Sequence, residues 1–209
     1  CDLCTEWRIE NAGKTIVLDL HGKATFHDGT PIKAKDIKYS LEKLTGKIDG
    51  VVHVRTGFIK EYIDSIEAPD DRTLKINLKR PAPVVPEALT GTMSAILPEG
   101  SKRVDLQAPP VGPNNKYTSG PFQVKEVVSD SHIVMERYPN YFKAGLPYLD
   151  GIRLQVFTDP TAAASALLVG QLDMFTTTGT PAVQFWPQLN KQEKAGKLAV
   201  VDKPLYCTA

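Results

Sequence analysis

The residues with the most chemical potential are the cysteines and histidines. Cys1 and Cys4 stand at CxxC spacing, which suits zinc binding or thiol redox work. A zinc site needs a second ligand pair, and Cys207 is the only other cysteine. A redox CxxC follows a strand inside a βαβ unit, and no such strand is read in these residues ahead of the pair. The expected role is structural: small apolar side chains, or a terminal disulfide with Cys207 as a candidate partner. His27-Asp28 invites an imidazole–carboxylate reading. Neighbours in an extended chain point to opposite faces, so the pair is read instead as part of a tight turn. In that turn Asp28 bonds nearby backbone amides and Gly29 takes a positive φ. His21, His53 and His132 show no HxH or HExxH spacing, and no GxSxG, GxGxxG or GxxxxGK(S/T) occurs. No residue set read here speaks for catalysis, and no catalytic residue, metal or cofactor is expected.

Composition supports a folded chain. Of 209 residues, 42% are apolar and 23% charged, enough for a packed core and close to globular usage. The net charge is +1, and Lys and Arg are scattered singly, so no nucleic-acid groove is expected. Tyr138, Tyr141, Phe142 and Tyr148 cluster in sequence, but Arg137 and Lys143 are too few for base stacking along a basic track. Core packing, or a cover over a hairpin, is expected of them. No apolar run approaches the roughly 18 residues of a membrane span; Ala162 to Val169 is far shorter. No signal peptide is read in Cys1-Asp-Leu-Cys-Thr-Glu-Trp7, and the expectation of a secreted protein takes a leader to be removed or to lie outside these residues.

These residues need elements to carry them. Trp7 and Ile9 alternate with polar neighbours and predict a strand, paired as a hairpin with Thr15 to Leu20 across Asn11-Ala-Gly. The turn Phe26-His-Asp-Gly-Thr-Pro31 comes next. Ile37, Leu41 and Leu44 recur at helical spacing from Ala34 and stop at Gly46. Val51 to Ile59 is ambiguous. Strands are predicted near Ile63–Ile66 and over Thr73 to Leu78, ended by the prolines of Lys79 to Pro83. Val84 to Leu89 reads as a short helix, and Gly100 to Tyr117 as a linker. Gly120–Val128 and His132–Arg137 predict a second hairpin, followed by a strand over Ile152 to Phe157. Asp159 and Pro160 cap and open a helix that Gly170 ends. Leu172 to Phe175 is predicted as a short buried strand, closing a right-handed strand–helix–strand crossover. A helix within Pro181 to Gly196 and a strand over Leu198 to Val201 complete the reading.

Five blocks carry a family resemblance. Phe26-His-Asp-Gly-Thr-Pro-Ile-Lys-Ala-Lys-Asp-Ile-Lys-Tyr-Ser-Leu-Glu42 resembles F-x-D-G-x-P-x-x-A-x-D-(V/I)-x-(Y/F)-S. Ser119-Gly-Pro-Phe-Gln-Val resembles the G-(T/S)-G-P-(Y/F) lead-in to a strand. Val134 to Phe142 resembles the L-x-R-N-P-x-Y-(W/F) loop, with Tyr138 where Asn is usual. Tyr148-Leu-Asp-Gly-Ile-Arg-Leu154 resembles P-Y-L-D-x-(I/V). Ala163 to Asp173 resembles A-x-x-A-L-x-x-G-x-(I/L)-D. The ordered set is similar to the extracellular solute-binding proteins of family 5, the peptide/nickel-type ABC importers.

The resemblance implies an α/β (mixed α+β) fold: a periplasmic-binding-protein-like type II lobe with an extra small α/β subdomain, present incompletely. Residues 1–115 would form that subdomain and 116–209 part of the main sheet of lobe I leading to the hinge. With Trp7 matching the family's L-x-x-x-W segment, the first strands of the lobe and the second lobe would lie outside these residues. This also counts against Cys1 as a lipid-modified mature terminus. The implied function is capture of oligopeptides or another small solute (a nickel chelate, opine or oligosaccharide) between two lobes, with delivery to an ABC permease. The expected location is the periplasm or outer surface, with lipoprotein anchoring of the full-length protein an option. The alternative is a ligand-sensing domain of the same fold in a transcriptional regulator, which a helix-turn-helix in the full gene would reveal. An unrelated small enzyme is a third reading, for which no residue set speaks. Ligands bind at strand ends in such sheets, so Thr176, Thr177, Thr178 and Gly179, and Tyr206 near the hinge, are the expected ligand contacts. An ordinary polar connection is the other reading of the Thr run. Half a clamshell cannot close over a solute, so these 209 residues alone are expected to bind weakly or not at all.

Overall fold

The computed structural model describes residues 3–48, 50, 57–90, 95–102, 109–175 and 181–199. The chain divides into two compact units, Cys1–Leu154 and Gln155–Ala209.

The first unit begins with strands β1 (Cys4–Glu10) and β2 (Thr15–Leu20). They form the expected antiparallel hairpin, pairing Trp7 with Leu18 and Ile9 with Ile16. The reversal over Asn11, Ala12 and Gly13 uses φ of 52°, 52° and 88°. Strands β3 (Ile63–Glu67) and β4 (Thr73–Leu78) complete a four-stranded sheet in the order β1-β2-β4-β3, all neighbours antiparallel. The registers place Ile9, Ile16, Ile76 and Ile66 in one row across the sheet. Period-two alternation sends Leu74, Ile76 and Leu78 to the core face, and all three are buried.

Helix α1 (Ala34–Leu44) lies against β4 and β3 through buried Ala34, Ile37 and Leu41. Its N-terminus is fixed by Asp36, a buried carboxylate that accepts from the backbone N–H of Lys33 (2.8 Å) and of Glu99 (2.8 Å). The first bond satisfies an amide that the helix itself leaves open, and the second ties residues 95–102 to the helix. Ser40 repeats the arrangement one turn on, accepting from Leu97 N–H at 2.8 Å. Helix α2 (Val84–Leu89) buries Val85 in the same core.

The second sheet has the order β5-β6-β7, with β5 Phe122–Val128, β6 His132–Arg137 and β7 Gly151–Gln155. The β5–β6 pair is the expected hairpin, with a register shift between Val124 and Glu126. Gly151 meets β6 closely: a Cβ there would lie 2.7 Å from the Met135 carbonyl oxygen. No residue of these three strands is buried.

In the second unit, Asp159 caps helix α3 (Pro160–Leu168) as expected, its carboxylate accepting from Thr161 N–H at 2.8 Å. Ala163, Ala164 and Ala166 are buried, and α3 packs on helix α4 (Pro181–Lys194). The expectation for Leu172 to Phe175 needs correction. Leu172–Phe175 is irregular and not a buried strand, with Met174 73% exposed. A strand exists only through a ladder neighbour, and this stretch has none among the described residues, so the strand–helix–strand crossover is not formed there. Within Val51–Ile59, the described end belongs to a 3-10 turn, Gly57–Glu61. Leu198 and Ala199 are likewise irregular, and the rest of that predicted strand lies outside the described residues.

Candidate functional site

His27 sits where the two sheets of the first unit meet. The turn after β2 places it there: Asp28 accepts from Thr30 N–H (2.8 Å) and Gly29 takes φ +87°, the expected Asp–Gly geometry. His27 is 9% exposed. Its Nδ1 lies 3.0 Å from Thr118 Oγ1 and its Nε2 3.0 Å from the Gly120 carbonyl oxygen. Both ring nitrogens are thus occupied by structure. Burial holds the imidazole pKa below the usual histidine value, opposed in part by the bond to Gly120. Asp28 spends a carboxylate oxygen on the turn, so the pair is not a catalytic dyad.

Tyr138 completes the junction. Its ring is 4.7 Å from that of His27. Its hydroxyl donates to the Phe26 carbonyl (3.1 Å) and lies 3.0 Å from Thr25 Oγ1. Backbone bonds His27 N–H to Thr118 O (2.9 Å) and Tyr138 N–H to Pro121 O (2.9 Å) flank it. Tyr141 and Phe142 continue the aromatic run, with Phe142 4.9 Å from both the Tyr141 and His21 rings. Tyr148 stands apart, 87% exposed.

Beside this junction an apolar cavity of about 800 Å³ opens over the β1–β2 face. Trp7, Leu18, Ile37, Pro86, Tyr141 and Phe142 are on its wall, and Glu87 is the charged side chain there. Its volume is that of a small-molecule pocket. Trp7 and Ile9, about half exposed, show that the core is less complete over β1 than over β4. The sequence reading missed this cavity. Its signal was the apolar alternation of β2, but the walls come from segments spread between Leu3 and Phe142 whose meeting no local pattern encodes.

The remaining histidines do not assemble. His132 Nδ1 contacts Ser131 Oγ at 2.9 Å and its Nε2 faces Glu126 at 3.8 Å; His53 lies outside the described residues. Among the described residues no group of three or more His, Cys, Asp or Glu is placed to hold a metal. Cys4 is disulfide-bonded, and neither Cys1 nor Cys207 is among the described residues. The expected ligand contacts Thr176, Thr177, Thr178, Gly179 and Tyr206 also lie outside them. Among the described residues no helix is long and apolar enough to cross a membrane.

The mixed α/β architecture with two sheets is shared with solved periplasmic binding proteins, of which the chain corresponds to a portion. The PBP AgaA of A. tumefaciens R10, solved in complex with agropinic acid, superposes on 82% of the chain with a TM-score of 0.71 and 26% identity, the match covering 34% of AgaA. A Brucella ovis protein named for ABC-transporter peptide binding is 32% identical over 158 residues, 71% of this chain and 28% of that protein. The glutathione-binding protein GsiB of Pectobacterium atrosepticum is 28% identical over 207 residues, 97% of this chain and 37% of GsiB. The family model for bacterial extracellular solute-binding proteins, family 5 Middle, matches residues 1–207, and the chain belongs to that family. It spans 28% and 37% of the length of the two curated relatives it matches here.

Proposed function

We propose that the chain is part of the solute-binding component of an ABC importer, which captures an oligopeptide or a similar small solute between two lobes and hands it to the membrane permease. The observation that carries this reading is the family match across residues 1–207, joined to a fold shared with a ligand-bound binding protein at a TM-score of 0.71. The solutes named for the relatives, peptide, glutathione and agropinic acid, favour a small polar solute with amide or carboxylate groups. The Cys4 disulfide supports work outside the cytoplasmic membrane, where such bonds persist.

In this reading residues 1–115 are the extra subdomain and 116–209 belong to the main lobe. Two separate sheets, one before residue 79 and one after residue 121, support that division. Thr176, Thr177, Thr178 and Gly179, with Tyr206, contact the solute. The test is calorimetry on the complete polypeptide with di- to pentapeptides and glutathione. Thr176→Ala combined with Thr178→Ala weakens binding roughly tenfold or more, the loss of one or two hydrogen bonds. Unchanged affinity would remove the Thr run from the site. No binding of any member of the panel would remove the peptide-like solute class.

A further inference from the structure

We propose that the apolar cavity over the β1–β2 face is a second binding site, which takes a small amphiphile with an apolar body and an amine head. It is separate from the solute contacts proposed above. Its walls run between Leu3 and Phe142, all within the first unit, whereas those contacts begin at Thr176.

The walls define the body of the ligand. Strand β2 contributes Leu18, helix α1 contributes Ile37, and the segment after α2 contributes Ile96. Trp7 and Phe142 add aromatic rings. Scattered apolar side chains on a surface need no explanation, but a continuous apolar hollow of about 800 Å³ does. That volume suits a ligand of drug size. Trp7 is on the wall and yet 49% exposed, so an occupant would take its ring out of water. Each methylene buried there strengthens binding about fourfold.

The polar groups define the head. Among the described wall residues Glu87 is the one that carries a charge, and no described cation pairs with it. Thr90, three residues on, is also on the wall, and residues at this spacing are neighbours on a helix surface. The Thr90 hydroxyl donates to the Glu87 carbonyl oxygen at 2.7 Å, so its proton is spent and its oxygen is left to accept. A carboxylate and an accepting hydroxyl together match an ammonium group, which has three donors and no acceptor. The open Trp7 face also favours a cation over an anion. Lys143 holds its ammonium 5.7 Å from the Phe142 ring centre and is not itself on the wall, which assigns the amine to the Glu87 side and away from Phe142. A carboxylate head in the same place would face Glu87 as a like charge.

The test is a fluorescence titration near pH 7 at low salt, on the 209-residue chain and on the complete polypeptide. The probes are decylamine, decanol and decanoate, each below its micelle concentration, with octylamine as the shorter homologue. Trp186→Phe leaves Trp7 as the reporter in the 209-residue chain, and methyl ¹H–¹³C spectra of that chain locate the probe. The variant is Glu87→Gln, a change at an exposed position that keeps the shape of the side chain. The expected order of affinity is decylamine, decanol, decanoate, with about tenfold or more between the first and the last. Octylamine binds about tenfold more weakly than decylamine. E87Q brings decylamine and decanoate to within about threefold of each other and leaves decanol unchanged. Methyl shifts concentrate at Leu18, Ile37 and Ile96. Equal binding of the three decyl probes overturns the proposal, as does an amine preference that E87Q keeps. Shifts confined to methyls outside the cavity, or no saturable binding of decylamine by the complete polypeptide, overturn it as well.

Discussion

At the scale of single residues, the junction around Tyr138 is where a small change should have a large effect. Its hydroxyl satisfies a buried backbone carbonyl, and removing one partner of a buried bond costs more than the bond contributes. Tyr138→Phe is expected to lower the unfolding free energy by about 1–3 kcal/mol in denaturant titration. A change within about 0.3 kcal/mol would show that the Phe26 carbonyl finds another partner. Ala12 presents the opposite case. It holds a left-handed conformation (φ 52°, ψ 41°) that a Cβ disfavours by about 1 kcal/mol. Ala12→Gly is expected to stabilise the chain by up to ~1 kcal/mol, read as a higher denaturation midpoint with an unchanged slope. A loss of stability would mean that unfolded-chain entropy outweighs the relief.

Elements translate those local choices into sheets, and two of them make sharp tests. Gly151 admits no Cβ beside the Met135 carbonyl, so Gly151→Ala should push β7 from β6. The expected cost is about 1–3 kcal/mol, with exchange protection lost along β7 before the four-stranded sheet is affected. Uniform loss across both sheets would contradict that order. Asp159→Ala should cost about 0.5–2 kcal/mol, confined to α3.

The elements that the sequence announced are those whose signals are local. The Asp28-Gly29 turn, the Asp159-Pro160 helix start and the alternation of Thr73 to Leu78 each depend on residues within a few positions of one another. Leu172 to Phe175 was misread because apolar content says nothing about whether a strand has a neighbour. The role of His27 was hidden for a related reason: its partners Thr118 and Gly120 lie 91 and 93 positions away. Motif blocks identified the family where spacing alone offered only an absence of catalytic sets. The proposed solute contacts came from strand-end reasoning and from no pattern in the Thr run itself.

For the whole molecule, the exposed faces of β5, β6 and β7 and the opening over β1 accord with a chain spanning about a third of its relatives' length. In the proposed reading, affinity comes from closing two lobes and expelling water. The most direct measurement is therefore paired calorimetry with one panel of short peptides and glutathione, on the complete polypeptide and on these 209 residues. The account predicts that the complete protein binds at least one of them with a Kd of about 1 µM or tighter, while the 209-residue chain binds at least ~100-fold more weakly. Equal affinity of the two, or no binding by the complete protein, would contradict it.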